Sequence, residues 1–119
     1  MKRRAFTRIN LFERATIRYG EQFVGGLVEN ISLRGLFVQT KEPIPLDLPV
    51  EVSVHLSHDS SLSLSATVVR HGEAAGLGMK INRIDMRSLL NLKNLVEKQC
   101  GDQELVTRET KKMVSFMLS

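Results

Sequence analysis

The chain has 119 residues, of which 42% are hydrophobic, and this is enough for one globular domain with a single core. It carries 17 Lys and Arg residues against 13 Asp and Glu residues. Six of the bases but only one acid fall within residues 1–20, which leaves eleven bases against twelve acids elsewhere. The positive charge is therefore local, whereas a protein that coats nucleic acid usually presents a broader basic surface.

The cysteine content and the apolar segments indicate a compartment. A single cysteine, Cys100, excludes an internal disulfide framework and is typical of a reducing cytoplasm. It lies near the end of a helical pattern, with no His–Asp arrangement in the sequence, so we interpret it as a buried structural thiol. No segment has the apolar length of a transmembrane helix, and residues 2–4 are not followed by the apolar run of a signal peptide. We expect a cytoplasmic protein without membrane insertion.

Residues 1–8 predict a flexible basic arm, and the following residues predict strands. Hydrophobic and polar residues alternate with a period of two over three segments, as in half-buried strands: 15–19, 50–56 and 62–68. Three more apolar runs are shorter or less regular: 23–31, 36–38 and 76–81. Gly25 and Gly26 predict a bulge or sharp bend within the second strand. Six short antiparallel strands favour a small closed β-barrel, which has no exposed edges.

The pattern changes to helix after Ile81. Asp85 is a candidate N-cap for a helix whose apolar residues recur at helical spacing, and Gly101 is a suitable stop. Asp102 is placed to cap a second helix over residues 103–113, while the apolar end of the chain fits helix or strand. We assign residues 1–101 to the barrel domain with its arm, and residues 102–119 to a C-terminal, mainly helical extension. We expect the extension to pack on its own barrel; the alternatives are pairing with a second copy or an apolar surface for a partner.

Two polar motifs point to an anionic ligand. Arg4 and Arg8 have R-x-x-x-R spacing, and Asn30, Ser32 and Gly35 form N-x-S-x-x-G. An arginine fork matches phosphate oxygens and the O6/N7 edge of guanine, and a pair of small polar residues can read the rest of a purine edge. The combination predicts a pocket for an anionic guanine compound.

With a later G-x-G at Gly76 and Gly78, the two motifs resemble those of the PilZ domain family, over about residues 3–98. The resemblance implies a bacterial six-stranded antiparallel β-barrel with a C-terminal helix that binds the second messenger cyclic di-GMP. It also implies a receptor or adaptor that changes conformation on binding and signals to a protein partner, in the control of motility, pili or exopolysaccharide.

The resemblance also implies roles for single residues. Arg4 and Arg8 would bind phosphate and guanine edges, and Asn30 and Ser32 would project from the same side of a strand toward the guanine. Gly35 would supply a turn and a close backbone approach. Asn30 stands where family members often have Asp. Arg3, just before the first motif, is the residue type that in this family accompanies binding of an intercalated nucleotide dimer.

Other function classes are weaker. A PilZ-like scaffold that acts without cyclic di-GMP would not need the intact motifs, and a small-barrel nucleic-acid binder would need grouped aromatic platforms. Glu29 has no accompanying nucleophile, metal set or paired carboxylate, so we expect no enzymatic activity and no cofactor. His55, His58 and Asp59 are separated by a predicted strand and turn, and we interpret them as surface residues rather than metal ligands. We expect no DNA or RNA partner.

Overall fold

The computed structural model describes residues 6–57, 60–72 and 75–117, with side chains as far as residue 114. Six antiparallel strands close into a barrel in the order β1-β2-β3-β6-β5-β4. The strands are β1 (Ile9–Tyr19), β2 (Gln22–Ile31), β3 (Gly35–Gln39), β4 (Pro49–His55), β5 (Ser61–His71) and β6 (Gly76–Ile84). Two helices follow, α1 (Met86–Cys100) and α2 (Gln103–Met117). The predicted barrel with a helical extension is confirmed.

The hairpin of β4 and β5 shows how the sequence pattern builds the core. Val52 lies opposite Leu64, Val54 lies opposite Leu62, and all four side chains are buried. Each such side chain contributes roughly 1.5–3 kcal/mol when fully buried, so this alternation orients both strands toward the barrel interior.

The prediction of a bulge at Gly25 and Gly26 is wrong. Both residues pair with β1 in unbroken register, and the bulge between β2 and β3 lies later, between Val28 and Asn30. A Cβ atom added to Gly26 would lie 2.7 Å from Cγ1 of Val38. Position 26 therefore favours glycine, because the Val38 side chain of β3 lies too close to the backbone of β2 for a Cβ atom to fit unless Val38 moves.

Helix α1 begins and ends where the sequence predicts. The Asp85 side chain accepts a hydrogen bond from the Ser88 amide at 2.8 Å, and Gly101 adopts a left-handed conformation with φ of 75°. The Ser88 hydroxyl in turn accepts a hydrogen bond of 2.8 Å from the amide of Ser63 in β5. This bond and the buried Leu92 attach α1 to the barrel.

Helix α2 extends beyond the predicted end at residue 113. The Leu105 amide donates to the Asp102 side chain at 3.0 Å, as predicted for the cap, and Val106 and Met113 are fully buried. Cys100 is partly buried rather than fully buried. No helix in the described part of the chain is both long and apolar enough to cross a membrane.

Candidate functional site

The two polar motifs meet at the start of β1 and the end of β2. Arg8 directly precedes β1, and its Nη1 atom donates a hydrogen bond of 2.6 Å to Oδ1 of Asn30. Asn30 lies directly opposite Asn10 of β1, so the pairing of β1 with β2 places Arg8 close to Asn30. The other two predicted arginines, Arg3 and Arg4, lie outside the described residues.

Ser32 occupies a different place from the one predicted. It follows the last residue of β2, and its hydroxyl accepts hydrogen bonds from the amides of Arg34 at 3.2 Å and Gly35 at 3.1 Å. The hydroxyl also donates a long bond of 3.4 Å to the Gly35 carbonyl, and the residue is only 3% exposed. Ser32 therefore closes the turn between β2 and β3 instead of projecting from a strand beside Asn30.

Gly35 lies where the turn, β6 and the arginine converge. A Cβ atom at this position would lie 2.9 Å from the carbonyl oxygen of Met79 and 3.3 Å from Nη2 of Arg8. The first distance is shorter than a side chain tolerates. The absence of a side chain thus allows β3 to pair closely with β6 and leaves space for the guanidinium of Arg8.

A row of directly paired residues continues from Asn30 around the outside of the barrel. Asn30 lies opposite Phe37, Phe37 opposite Gly78, and Gly78 opposite Arg70. Directly paired residues share one face of a sheet, so the side chains of Asn30, Phe37 and Arg70 belong to one outer surface. Arg8 adjoins this surface through its hydrogen bond to Asn30.

Arg70 and Phe37 are in contact on this surface. The guanidinium carbon of Arg70 lies 5.5 Å from the centroid of the Phe37 ring, within the range of a cation–π contact. A Cβ atom at Gly76 would lie 2.3 Å from Cζ of Phe37, and one at Gly78 would lie 2.8 Å from Cγ of Arg70. The predicted G-x-G strand therefore makes room for this pair.

Neither Arg70 nor Phe37 was expected from the sequence. Strict alternation from the buried Val68 would point Arg70 into the barrel, but the register of β5 against β6 shifts between these two residues. The shift turns Arg70 outward. A basic residue inside an otherwise apolar strand pattern was the available signal for such a shift, because an unpaired arginine is rarely buried.

The end of the basic arm is attached to helix α2. The Thr7 amide donates a hydrogen bond of 2.9 Å to one carboxylate oxygen of Glu109, and the Thr7 hydroxyl donates one of 2.7 Å to the other. Thr7 and Arg8, the described end of the predicted arm, are thus held by hydrogen bonds to Glu109 and Asn30. Residues 1–5 lie outside the described residues.

Polar groups elsewhere in the described residues do not gather into a second site. His55 is exposed, and its Nε2 atom lies 3.2 Å from the Thr16 hydroxyl, while His58 and Asp59 are outside the described residues. Among the residues that the structure describes, no three His, Cys, Asp or Glu side chains are grouped to hold a metal ion. A groove of 460 Å³ between α1 and the end of β4, lined by residues that include Leu56, Asn91 and Asn94, shares no residue with the Arg8–Asn30 contact.

Comparisons with known proteins agree with this architecture. The sequence model of the PilZ domain matches residues 2–98. The fold is similar to that of MotI/DgrA, an inhibitor of motility from Bacillus subtilis, with a TM-score of 0.69 and 18% identity over 87% of this chain and 54% of that one. It is also similar to the PilZ domain of CeSA from a cellulose synthesizing bacterium, with a TM-score of 0.63 and 22% identity over 78% of this chain and 97% of that one.

A third similar structure is YcgR from Escherichia coli in complex with c-di-GMP. Its TM-score is 0.68, with 14% identity over 95% of this chain and 51% of that one. This chain therefore spans about half the length of the MotI/DgrA and YcgR chains. Helix α2 lies beyond the residues that match the PilZ domain.

Proposed function

The chain belongs to the PilZ domain family, a family of cyclic di-GMP receptors and adaptors, and from this premise we propose that it binds cyclic di-GMP and signals to a protein partner. The observation that carries the proposal is the 2.6 Å hydrogen bond between Arg8 and Asn30, because it joins the two polar motifs into one site. An arginine held in this way presents an oriented fork to a phosphate or to the Hoogsteen edge of a guanine.

The identity of Asn30 affects the charge of this site. A carboxylate in the same position would form an ion pair with Arg8 and partly neutralise it, whereas the amide oxygen accepts the same hydrogen bond without a negative charge. The local field then stays more positive, which favours a dianionic ligand. In exchange, an amide oxygen is a weaker acceptor than a carboxylate for the N–H groups of guanine.

Ser32 and Gly35 shape the turn on which the ligand would lie. The Ser32 hydroxyl is oriented by two backbone amides, and its own proton forms only the 3.4 Å bond to the Gly35 carbonyl. That bond is at the weak end of the hydrogen-bonding range, but Ser32 is only 3% exposed, so its contribution to the site is to hold the turn in shape. The bare backbone at Gly35 allows a bulky nucleotide to come close to the strand.

Arg70 and Phe37 provide a planar surface on the same outer row as Asn30. A guanidinium that lies over an aromatic ring on one side can stack its opposite face on a purine. We therefore add Arg70 to the proposed ligand contacts, with Phe37 as its support. Arg3 and Arg4 complete the proposed set, in which Arg3 accompanies the binding of two stacked nucleotides.

The signal would pass to a cytoplasmic protein partner through the change in conformation, in the control of motility, pili or exopolysaccharide. MotI/DgrA, which has this fold, is an inhibitor of motility, and this supports an output of that kind.

Isothermal titration calorimetry tests the proposal. The purified chain is titrated with cyclic di-GMP. A short single-stranded oligonucleotide, which also carries negatively charged phosphodiester groups, is the control. We expect saturable heat with the cyclic dinucleotide and none with the oligonucleotide. Binding of neither would favour the cyclic di-GMP-independent scaffold, and saturable binding of the oligonucleotide alone would favour the nucleic-acid binder.

A further inference from the structure

Glu109 is a buried carboxylate in the middle of the apolar face of α2. It lies three residues after Val106 and four before Met113, which is the spacing of one helix face. Val106 and Met113 are fully buried, and Glu109 is only 5% exposed. A carboxylate is rarely buried to this extent unless hydrogen-bond donors compensate for its lost hydration.

Thr7 provides that compensation from the opposite end of the sequence. Its amide and its hydroxyl each donate to a different oxygen of the Glu109 carboxylate, at 2.9 Å and 2.7 Å, across 102 residues. Thr7 lies inside the R-x-x-x-R motif, immediately before Arg8. The contact therefore holds the backbone next to the arginine that reaches Asn30.

We propose that Glu109 is a positioning residue for the nucleotide-binding arm, and this rests on the proposed function. By holding Thr7, Glu109 sets the path by which Arg8 reaches Asn30, so Thr7 and Arg8 are in place before the ligand arrives. A site that is ordered in advance loses less conformational entropy on binding and reaches a higher affinity.

The same contact couples α2 to the ligand. If Thr7 moves away, the Glu109 carboxylate between α2 and the barrel loses both hydrogen-bond donors. The free energy of the state in which α2 is docked then rises. Because such coupling is reciprocal, a nucleotide that holds the arm also strengthens the docking of α2, and a partner that displaces α2 weakens nucleotide binding. Since α2 lies beyond the residues that match the PilZ domain, the coupling belongs to the extension of this chain.

Five variants test the positioning role by calorimetry with cyclic di-GMP, the fifth being the conservative change Thr7→Ser. Glu109→Gln replaces one accepting oxygen, Thr7→Val removes only the hydroxyl donor, the double variant combines them, and Glu104→Gln changes an exposed carboxylate of the same helix. We expect each of the first two to weaken binding by about 3- to 10-fold, as for one or two hydrogen bonds. The double variant should bind cyclic di-GMP with about the affinity of whichever single variant binds it less tightly, because both substitutions disrupt the same Thr7–Glu109 contact. Glu104→Gln should bind like the wild type, and Thr7→Ser should recover the affinity lost in Thr7→Val.

Amide hydrogen exchange in the nucleotide-free protein provides a readout that does not depend on the ligand. We expect the Thr7 amide to exchange faster in Glu109→Gln, while the amides of β1 keep their protection. Unchanged affinity in both single variants, or fully additive losses in the double variant, would overturn the positioning role while leaving the proposed function in place. A wild-type protein that does not bind cyclic di-GMP would overturn the proposed function, and an unchanged Thr7 amide would overturn the anchor itself.

Discussion

Arg8 and Asn30 are 22 residues apart in the sequence, and Nη1 of Arg8 donates a hydrogen bond of 2.6 Å to Oδ1 of Asn30. Through this bond the residue before β1 and the penultimate residue of β2 become one polar site. The side chain of Gly35, had it one, would lie 3.3 Å from the same guanidinium. A change at any of these three positions should therefore alter the orientation of Arg8.

Replacing Arg8 by alanine should weaken cyclic di-GMP binding at least tenfold. The variant loses charge-assisted hydrogen bonds, each of which contributes about 1.5–3 kcal/mol. Calorimetric titration measures the loss. Arg18→Ala is the matched control, because it removes the same charge from an exposed position near the other end of β1. Equal weakening in both variants would attribute the effect to net charge and would remove Arg8 from the site.

Gly35→Ala should lower both stability and affinity. The new methyl group would lie 2.9 Å from the Met79 carbonyl oxygen, so β3 and β6 must separate, at a cost of about 1–3 kcal/mol. It would also press on Nη2 of Arg8. Thermal unfolding and calorimetry measure the two effects. Gly25→Ala is the control, since a Cβ atom there meets no other group within 4 Å; a similar loss in both variants would argue against the close approach at Gly35.

The number of nucleotides bound per chain depends on Arg3 in this account. We predict two molecules of cyclic di-GMP per wild-type chain and one per chain in Arg3→Ala, because the additional guanidinium stabilises the second nucleotide of a stacked pair. Lys2→Ala removes a neighbouring charge and serves as the control. Analytical ultracentrifugation with absorbance detection of the ligand gives the ratio, and a wild-type ratio of one would reject the paired nucleotide.

The packing of α2 predicts a contrast between two adjacent residues. Met113 is fully buried and Val114 is 40% exposed. Met113→Ala should destabilise the protein by about 2–5 kcal/mol, or detach α2, because it leaves a cavity under the helix. Val114→Ala should change stability by less than about 0.5 kcal/mol. Chemical denaturation followed by circular dichroism measures the free energy of unfolding of both variants. Equal losses would show that the face of α2 that carries Met113 does not pack on the barrel.

Local rules predicted much of the fold. The period of two in β4 and β5 determined which residues point inward. Asp85 and Gly101 indicated both ends of α1, and Asp102 indicated the start of α2, because capping depends on residues close in sequence. Gly25 and Gly26 failed as a bulge signal, because the reason for Gly26 is the Val38 side chain on the next strand. Contacts across strands are not visible in a local pattern.

Residues of the candidate site could be predicted only where they belong to one of the two sequence motifs. Arg8, Asn30 and Gly35 were identified together, but Arg70 was missed because a register shift in β5 reverses its direction. Glu109 is one of two acidic residues in α2, and the sequence around it does not distinguish it from the exposed Glu104. Its role depends on Thr7, which is 102 residues away, and no local spacing reports that contact.

The most direct test of the central claim maps the ligand on the barrel. In ¹H–¹⁵N NMR spectra recorded during a cyclic di-GMP titration, we predict the largest shifts at the backbone amides of Arg8, Asn30, Gly35 and Gly78. Shifts confined to Asn91 and Asn94, in the groove beside α1, or no shifts at saturating nucleotide, would contradict a cyclic di-GMP site at the Arg8–Asn30 contact.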